Sequence, residues 1–219
     1  MAAHGRVTRA PTPESWSVGG PCSRIPSAFS RGRIRASGTS TRIRGSINSA
    51  ASGISQRRLA ETRRVTQPTI RPATAADLDE VRTMMQDYAA WLRVDLCFQN
   101  FSQELANLPG DYVPPDGALL VAQGEASLVG MVALRRKDSH LGEMKRLFVR
   151  DAARGTGLGR QLAERIIAEA RARGYREICL DTLPVMQDAQ HLYVRLGFRD
   201  IAPYYSSPVV GTRFMALAL

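Results

Sequence analysis

Cysteine is scarce in this chain, lysine is missing from its first 67 residues, and no long apolar run occurs anywhere. The three cysteines, Cys22, Cys97 and Cys179, lie far apart and match no metal-ligand spacing. Such a sparse, odd set argues against a disulfide framework and for a reducing, cytoplasmic compartment, with no metal centre expected. Cys179 falls in an apolar stretch and reads as a small core residue. No apolar segment approaches the roughly 20 residues that span a bilayer, so no membrane contact is expected. Acidic residues are rare at the start. Residues 1–67 contain 12 arginines and only Glu14 and Glu61, a formal charge of +10, while the remaining 18 basic and 18 acidic residues cancel. The basic character of the chain therefore belongs to its first third, and the rest offers no electrostatic case for nucleic-acid binding.

Residues 1–66 are rich in Arg, Ser, Gly and Thr, with few large apolar side chains and no sustained periodicity. They cannot bury enough surface to offset their ordering entropy, and the composition predicts a disordered extension. Three readings stay open: a transit peptide, a nucleic-acid arm, or a misassigned start. The third is favoured. Almost exclusive use of Arg over Lys is typical of translated GC-rich DNA, and Val65-Thr66-Gln67-Pro68 reads as the beginning if a GTG codon encodes Val65.

Residues 67–219 read as one domain with helices between strands. Thr69-Ile70-Arg71-Pro72 is a short first strand, and Thr74 to Asp77 resembles a capping box. Leu78, Val81, Met85, Tyr88 and Leu92 then recur at helical spacing. A short helix over Ser102–Leu108 and a loop over 111–117 follow. Strands are expected at 118–123 and 127–136, joined through Gly124-Glu125, and a fourth at 141–149. A helix from Gly157 to Arg173 places Leu158, Leu162, Ile166, Ile167 and Ala170 inward, and Gly174 stops it. Its wet side holds the i,i+4 pairs Arg160–Glu164, Arg165–Glu169 and Glu169–Arg173. A buried strand at 177–181, a helix at 185–196, and strands near 198–201 and 213–217 complete a six- to seven-stranded sheet.

Between the fourth strand and the long helix lies Arg154-Gly155-Thr156-Gly157-Leu158-Gly159. A glycine-rich turn feeding a helix N-terminus presents converging N–H groups and a positive dipole end to an anion. It is not a P-loop, because Arg160-Gln161 follows where Lys and Ser/Thr belong. It is not a dinucleotide fingerprint either, because the glycines are spaced G-x-G-x-G.

Three landmarks in order resemble the GNAT superfamily of N-acetyltransferases, bacterial type. They are the strand Glu143-Met144-Lys145-Arg146-Leu147-Phe148-Val149, the Arg154-x-x-Gly157-x-Gly159 turn, and Leu192-Tyr193-Val194-Arg195-Leu196-Gly197-Phe198. The resemblance runs from about Thr69 to Leu219. It implies a mixed, mostly antiparallel α/β sheet, splayed between strands four and five, and acetyl-CoA as cofactor. The amides of Gly155, Thr156, Gly157, Leu158, Gly159 and Arg160 would hold the pyrophosphate, with Arg154 adding a charged contact. The backbone of Leu147, Phe148 and Val149 would hold the pantetheine arm. The family's direct attack of an amine on the thioester would use Glu143 as base and Tyr193 as donor to the leaving sulfur. The alternative for Glu143 is pairing with Lys145, and for Tyr193 plain packing. Met186 stands where many relatives carry an asparagine that contacts the cofactor, leaving Asp181 or Gln187 as substitutes.

The acceptor site falls to the parts least like the family: Trp91, Asp95, Tyr112, Arg146, Tyr204 and Tyr205. His140 and His191 read as surface residues. The favoured function is acetylation of a small-molecule amine by a monomer or homodimer. Protein lysine or N-terminal acetylation and a non-catalytic acyl-CoA sensor are the alternatives, and nucleic acid enters only through the basic extension.

Overall fold

The computed structural model describes residues 67–219, apart from Asp95, Cys97 and Phe98. The expectations for residues 1–66, and for Asp95 and Cys97, lie outside the described residues. Seven strands form one sheet: β1 (Thr69–Pro72), β2 (Ala118–Gln123), β3 (Leu128–Arg136), β4 (Leu141–Val149), β5 (Glu177–Thr182), β6 (Arg199–Asp200) and β7 (Arg213–Ala218), in the order β1-β2-β3-β4-β5-β7-β6. Every neighbouring pair is antiparallel except β4 and β5.

Helices cover both faces. α1 (Leu78–Leu92) starts after a single 3-10 turn, where the Asp77 carboxylate accepts bonds from the Thr74 amide and hydroxyl and from Arg71. Its buried stripe is Val81, Met84, Met85, Tyr88 and Leu92. With Phe101 of α2 (Phe101–Ala106) it packs on the face that carries Val121, Met131, Ala133 and Phe148. α3 (Leu158–Ala172) and α4 (Gln187–Arg195) lie against the other face, where Leu162, Ile166 and Ala170 meet Leu120, Val132, Leu134 and Met144. The three expected ion pairs on the wet side of α3 form, at 2.7, 3.2 and 2.6 Å. Elements depart from expectation only at their ends: α2 starts one residue earlier, and β6 shrinks to two residues.

Two features of β4 position the site. It pairs with β5 only at Leu141↔Glu177, Gly142↔Ile178 and Glu143↔Cys179. From Met144 onward its edge toward β5 is unpaired, and the sheet is splayed there. The second feature is a bulge. Met131 faces Phe148 and Ala133 faces Lys145, so Arg146 and Leu147 together stand opposite Val132. Arg146 takes a left-handed φ of 58°, which costs a branched or long residue about 1 kcal/mol or more. The bulge resets the alternation of the strand. Met144, Leu147 and Val149 turn toward α3. Glu143, Lys145, Arg146 and Phe148 turn toward α1 and α2, so two adjacent cations share one face.

Candidate functional site

The glycine turn is shaped by backbone geometry. Gly155 and Gly157 take φ of 76° and 86°, a region open mainly to glycine. A Cβ on either would meet nothing within 4 Å, so both sit on an open surface. Among the described residues no acceptor takes the N–H groups of Gly155, Thr156, Gly157, Leu158 and Gly159. Arg160 differs: its amide already donates to the Gly157 carbonyl at 3.1 Å, as does that of Gln161 at 3.2 Å. This corrects the expectation that the Arg160 amide belongs to the anion cradle. Five N–H groups without an acceptor, at a helix N-terminus, suit a pyrophosphate.

Arg154, the first residue of the turn, is anchored by several contacts. Its Nε donates to the Val149 carbonyl and its Nη1 meets Asp151 at 2.9 Å. Its guanidinium lies 4.9 Å from the ring centre of Trp91 and 5.8 Å from that of Phe148. Trp91 was expected at the acceptor site; at the end of α1 it is instead a half-exposed platform for the arginine of the turn. The Phe148 side chain is in the core, edge-on to Tyr88, and only its backbone is available to a ligand.

The splay opens a narrow cleft lined by Met144, Lys145, Leu147, Leu180, Asp181 and Tyr193, among others. Tyr193 is buried, packs against Phe198, and its hydroxyl makes no hydrogen bond among the described residues. Burial pushes its phenol well above the ordinary value, so it stays protonated and can donate to an anion formed in the cleft. Met186, at the position where many relatives carry an asparagine, lines the cleft; of the two substitutes, Asp181 lines it too, whereas Gln187 is exposed.

Lys145 and Gln99 line this cleft and also a second, polar cavity of about 620 Å³ on the α2 side of β4. Its wall comprises Glu104, Tyr112, Arg135, Lys137, Glu143 and Tyr205, with residues of the loop after α2. The inner charges are paired. Glu143 is almost fully buried; its Oε2 binds Arg135 Nε and Nη2 at 2.7 Å, and its Oε1 accepts from the Tyr204 hydroxyl at 3.1 Å. Lys145, the alternative partner for Glu143, stands 3.8 Å away and 3.2 Å from Asp181. Asp181 also accepts from Tyr205 at 3.0 Å and Gln99 at 3.1 Å. Arg146 binds Glu104 at 2.5 and 2.8 Å, and Tyr112 donates to the same carboxylate at 2.6 Å. Arg146 was expected to meet an acceptor; it is buried and committed to α2 instead.

These pairs set the charge states. Burial acts to raise the Asp181 and Glu104 carboxyls, but Lys145 and Arg146 outweigh it and hold both below the ordinary range. Burial, together with Glu143, pushes the Tyr204 phenol far up, and burial with Glu104 does the same to Tyr112. His140 and His191 are exposed, and Cys179 is buried, its thiol pushed up to about 12 by burial and by Glu143.

Of the expected residues, Glu143, Tyr112 and Tyr205 line the polar cavity, Tyr204 is hydrogen-bonded to Glu143, and Tyr193 faces the cleft. Arg135, Glu104, Gln99 and Lys137 were not anticipated. Arg135 was within reach of the sequence, since it pairs directly with Glu143 across the β3–β4 ladder. Glu104 and Gln99 meet β4 only through the tertiary fold. Among the described residues no cluster of His, Cys, Asp and Glu suits a metal ion, and no helix is long and apolar enough to cross a membrane.

Comparison with known proteins gives a common answer. Residues 79–198 match the model of the acetyltransferase (GNAT) family. An uncharacterized N-acetyltransferase of Schizosaccharomyces pombe is 39% identical over 145 residues, covering 65% of this chain and 89% of that protein. Another, of Dictyostelium discoideum, is 29% identical over 192 residues, covering 60% of this chain and 89% of its own length. The expected bacterial type thus finds no support: these relatives are eukaryotic. Among solved structures, an acetyltransferase of Salmonella typhimurium with its cofactor acetyl-CoA shares the fold, with a TM-score of 0.51 and 23% identity over 69% of this chain and 94% of that one.

Proposed function

Since the chain belongs to the acetyltransferase (GNAT) family, whose cofactor is acetyl-CoA, we propose that it moves an acetyl group to the amine of a small molecule by direct attack. One observation carries the reading: the cleft between β4 and β5 and the polar cavity meet at Lys145 and Gln99, which line both. A thioester in the cleft therefore faces an amine in the cavity.

The pyrophosphate is assigned to the amides of Gly155 through Gly159, with Arg154 held beside them by Trp91. The pantetheine arm is assigned to the open edge of Leu147, Phe148 and Val149, as an added strand. Acetyl-CoA supplies the activated acyl group. The chain's own residues handle two protons. Tyr193, protonated and with an uncommitted hydroxyl, donates to the departing sulfur. Glu143 receives the ammonium proton. It is 1% exposed, and Arg135 and Tyr204 take up its two oxygens, so the proton travels through an intervening water rather than by direct contact.

The test is an amine panel followed by release of the CoA thiol. Acetylation of at least one small amine is expected, with Glu143→Gln lowering kcat. If no amine is turned over although acetyl-CoA binds, the reading fails. Turnover confined to peptides would favour protein acetylation instead.

A further inference from the structure

Lysine occurs twice in 219 residues, at Lys137 and Lys145, against 28 arginines. Both lysines line the same polar cavity. A chain that uses arginine for nearly every positive charge has a compact ammonium at two places, and the fold brings both to the wall where the acceptor is assigned. Lysine offers a small point charge with three rotatable donors, where the planar arginine fork occupies more of a confined space.

The inner charges of the cavity are matched: Lys145 with Asp181, Arg135 with Glu143, and Arg146 with Glu104. Lys137 is not matched. It is exposed, has no carboxylate within ion-pair distance among the described residues, and rests 4.6 Å from the centre of the Tyr204 ring. The same Tyr204 donates to Glu143, so one tyrosine ring separates the free ammonium from the carboxylate assigned to the reacting amine. Arg135, one position before Arg136 and two before Lys137, presents the same face. Its Nε and Nη2 engage Glu143, its Nη1 has no such bond, and its side chain is 32% exposed. A short molecule with a carboxylate at one end and an amine at the other spans that interval.

Resting on the acetyltransferase reading above, we propose that the acceptor is a small amino acid, its carboxylate bound by Lys137 with Arg135 beside it and its amine directed to Glu143. The step is ordinary acyl transfer: the amine nitrogen bonds to the acetyl carbon, the carbon–sulfur bond breaks, and the ammonium proton and the thiolate are served by Glu143 and Tyr193. Asp111, exposed on the loop across the cavity and without a partner among the described residues, is the competing uncommitted charge. It would favour a diamine.

The experiment compares matched pairs with the full chain and saturating acetyl-CoA. Glycine, β-alanine, aspartate and glutamate are each set against their carboxamides, with 1,3-diaminopropane alongside, and thiol release is read as kcat/KM. The free acid of at least one pair should exceed its amide about tenfold, the effect of one charge-assisted bond. Lys137→Ala should bring that ratio close to one, Lys137→Arg should retain most of it, and Lys137→Glu should invert it. Amine-selective labelling of Lys137, read by mass spectrometry, should be slowed by the preferred acid and not by its amide. Equal rates for acids and amides, preference for the diamine, or a ratio that survives Lys137→Ala overturns the proposal and leaves acetyl transfer standing. Absence of thiol release with every amine overturns both.

Discussion

On the assignment proposed above, the two walls of the reaction centre are built from different material. The cofactor wall is mainly backbone: five N–H groups at a glycine turn and the unpaired edge of one strand. The acceptor wall is side chain: three matched ion pairs and three tyrosines drawn from α2 and the loop after it, β3, β4, β5 and the loop before β7. A backbone wall depends on φ and ψ, and it tolerates most substitutions except at its glycines. A side-chain wall depends on many long-range contacts, and any one of its members can retune it. The difference predicts that the grip on the donor is shared widely among relatives, whereas the choice of acceptor is particular to this chain.

The sharpest test of that division is Tyr193, the side chain proposed to serve the cofactor wall by chemistry rather than by holding. Tyr193→Phe should lower kcat about 100-fold, as loss of a general acid does, while calorimetry finds the acetyl-CoA Kd within about twofold. An equal loss in both would make the tyrosine a packing residue. Gly157→Val attacks the backbone itself. A branched residue at φ of 86° is strained, and the turn must open or rotate its amides. Acetyl-CoA binding should weaken about 30-fold with the melting temperature little changed, because the turn is exposed.

What the sequence revealed follows the same division. The helix stripes, the length of β4, the turn and the tyrosine at the end of α4 are local patterns, set by spacing along the chain, and each is where spacing placed it. The splay needed the family resemblance. The bulge at Arg146 left no trace in a strand that reads Glu-Met-Lys-Arg-Leu-Phe-Val, yet it decides that Lys145 and Arg146 share a face. Arg146 and Trp91 were expected beside the acceptor because that site was sought in the parts least like the family. Their duties, Glu104 and Arg154, lie 42 residues away in the other direction and 63 residues downstream, and only the fold brings them together.

Trp91 offers a milder probe of how far side chains assist the cofactor wall. Trp91→Ala removes a cation–π contact from Arg154, worth about 0.5–1 kcal/mol at an exposed site. The acetyl-CoA Kd should rise about threefold, and Trp91→Phe should recover part of it. Acid is the gentlest probe of the acceptor wall. The Asp181 and Glu104 carboxyls are held below their ordinary values: burial opposes this, but Lys145 and Arg146 prevail. The unfolded chain therefore binds these protons first as the pH drops. Their stabilisation is full above the unfolded pKa values near 4, and is lost as the pH falls through the folded ones. Thermal melts from pH 6 to pH 3 should show the decline beginning near pH 4. The double variant Lys145→Met with Asp181→Asn should show a shallower one.

The brief pairing of β4 with β5 also has a kinetic signature. Only three residue pairs join the two strands directly, and beyond Glu143 the edge of β4 has no strand to protect its amides. In heavy water those edge amides should exchange early, while the β2–β3 ladder stays protected for much longer. Adding the cofactor should then slow exchange along Leu147 to Val149 before it alters any amide in β6 or β7. A ligand that completes a sheet would thus be recorded first as a row of silent protons.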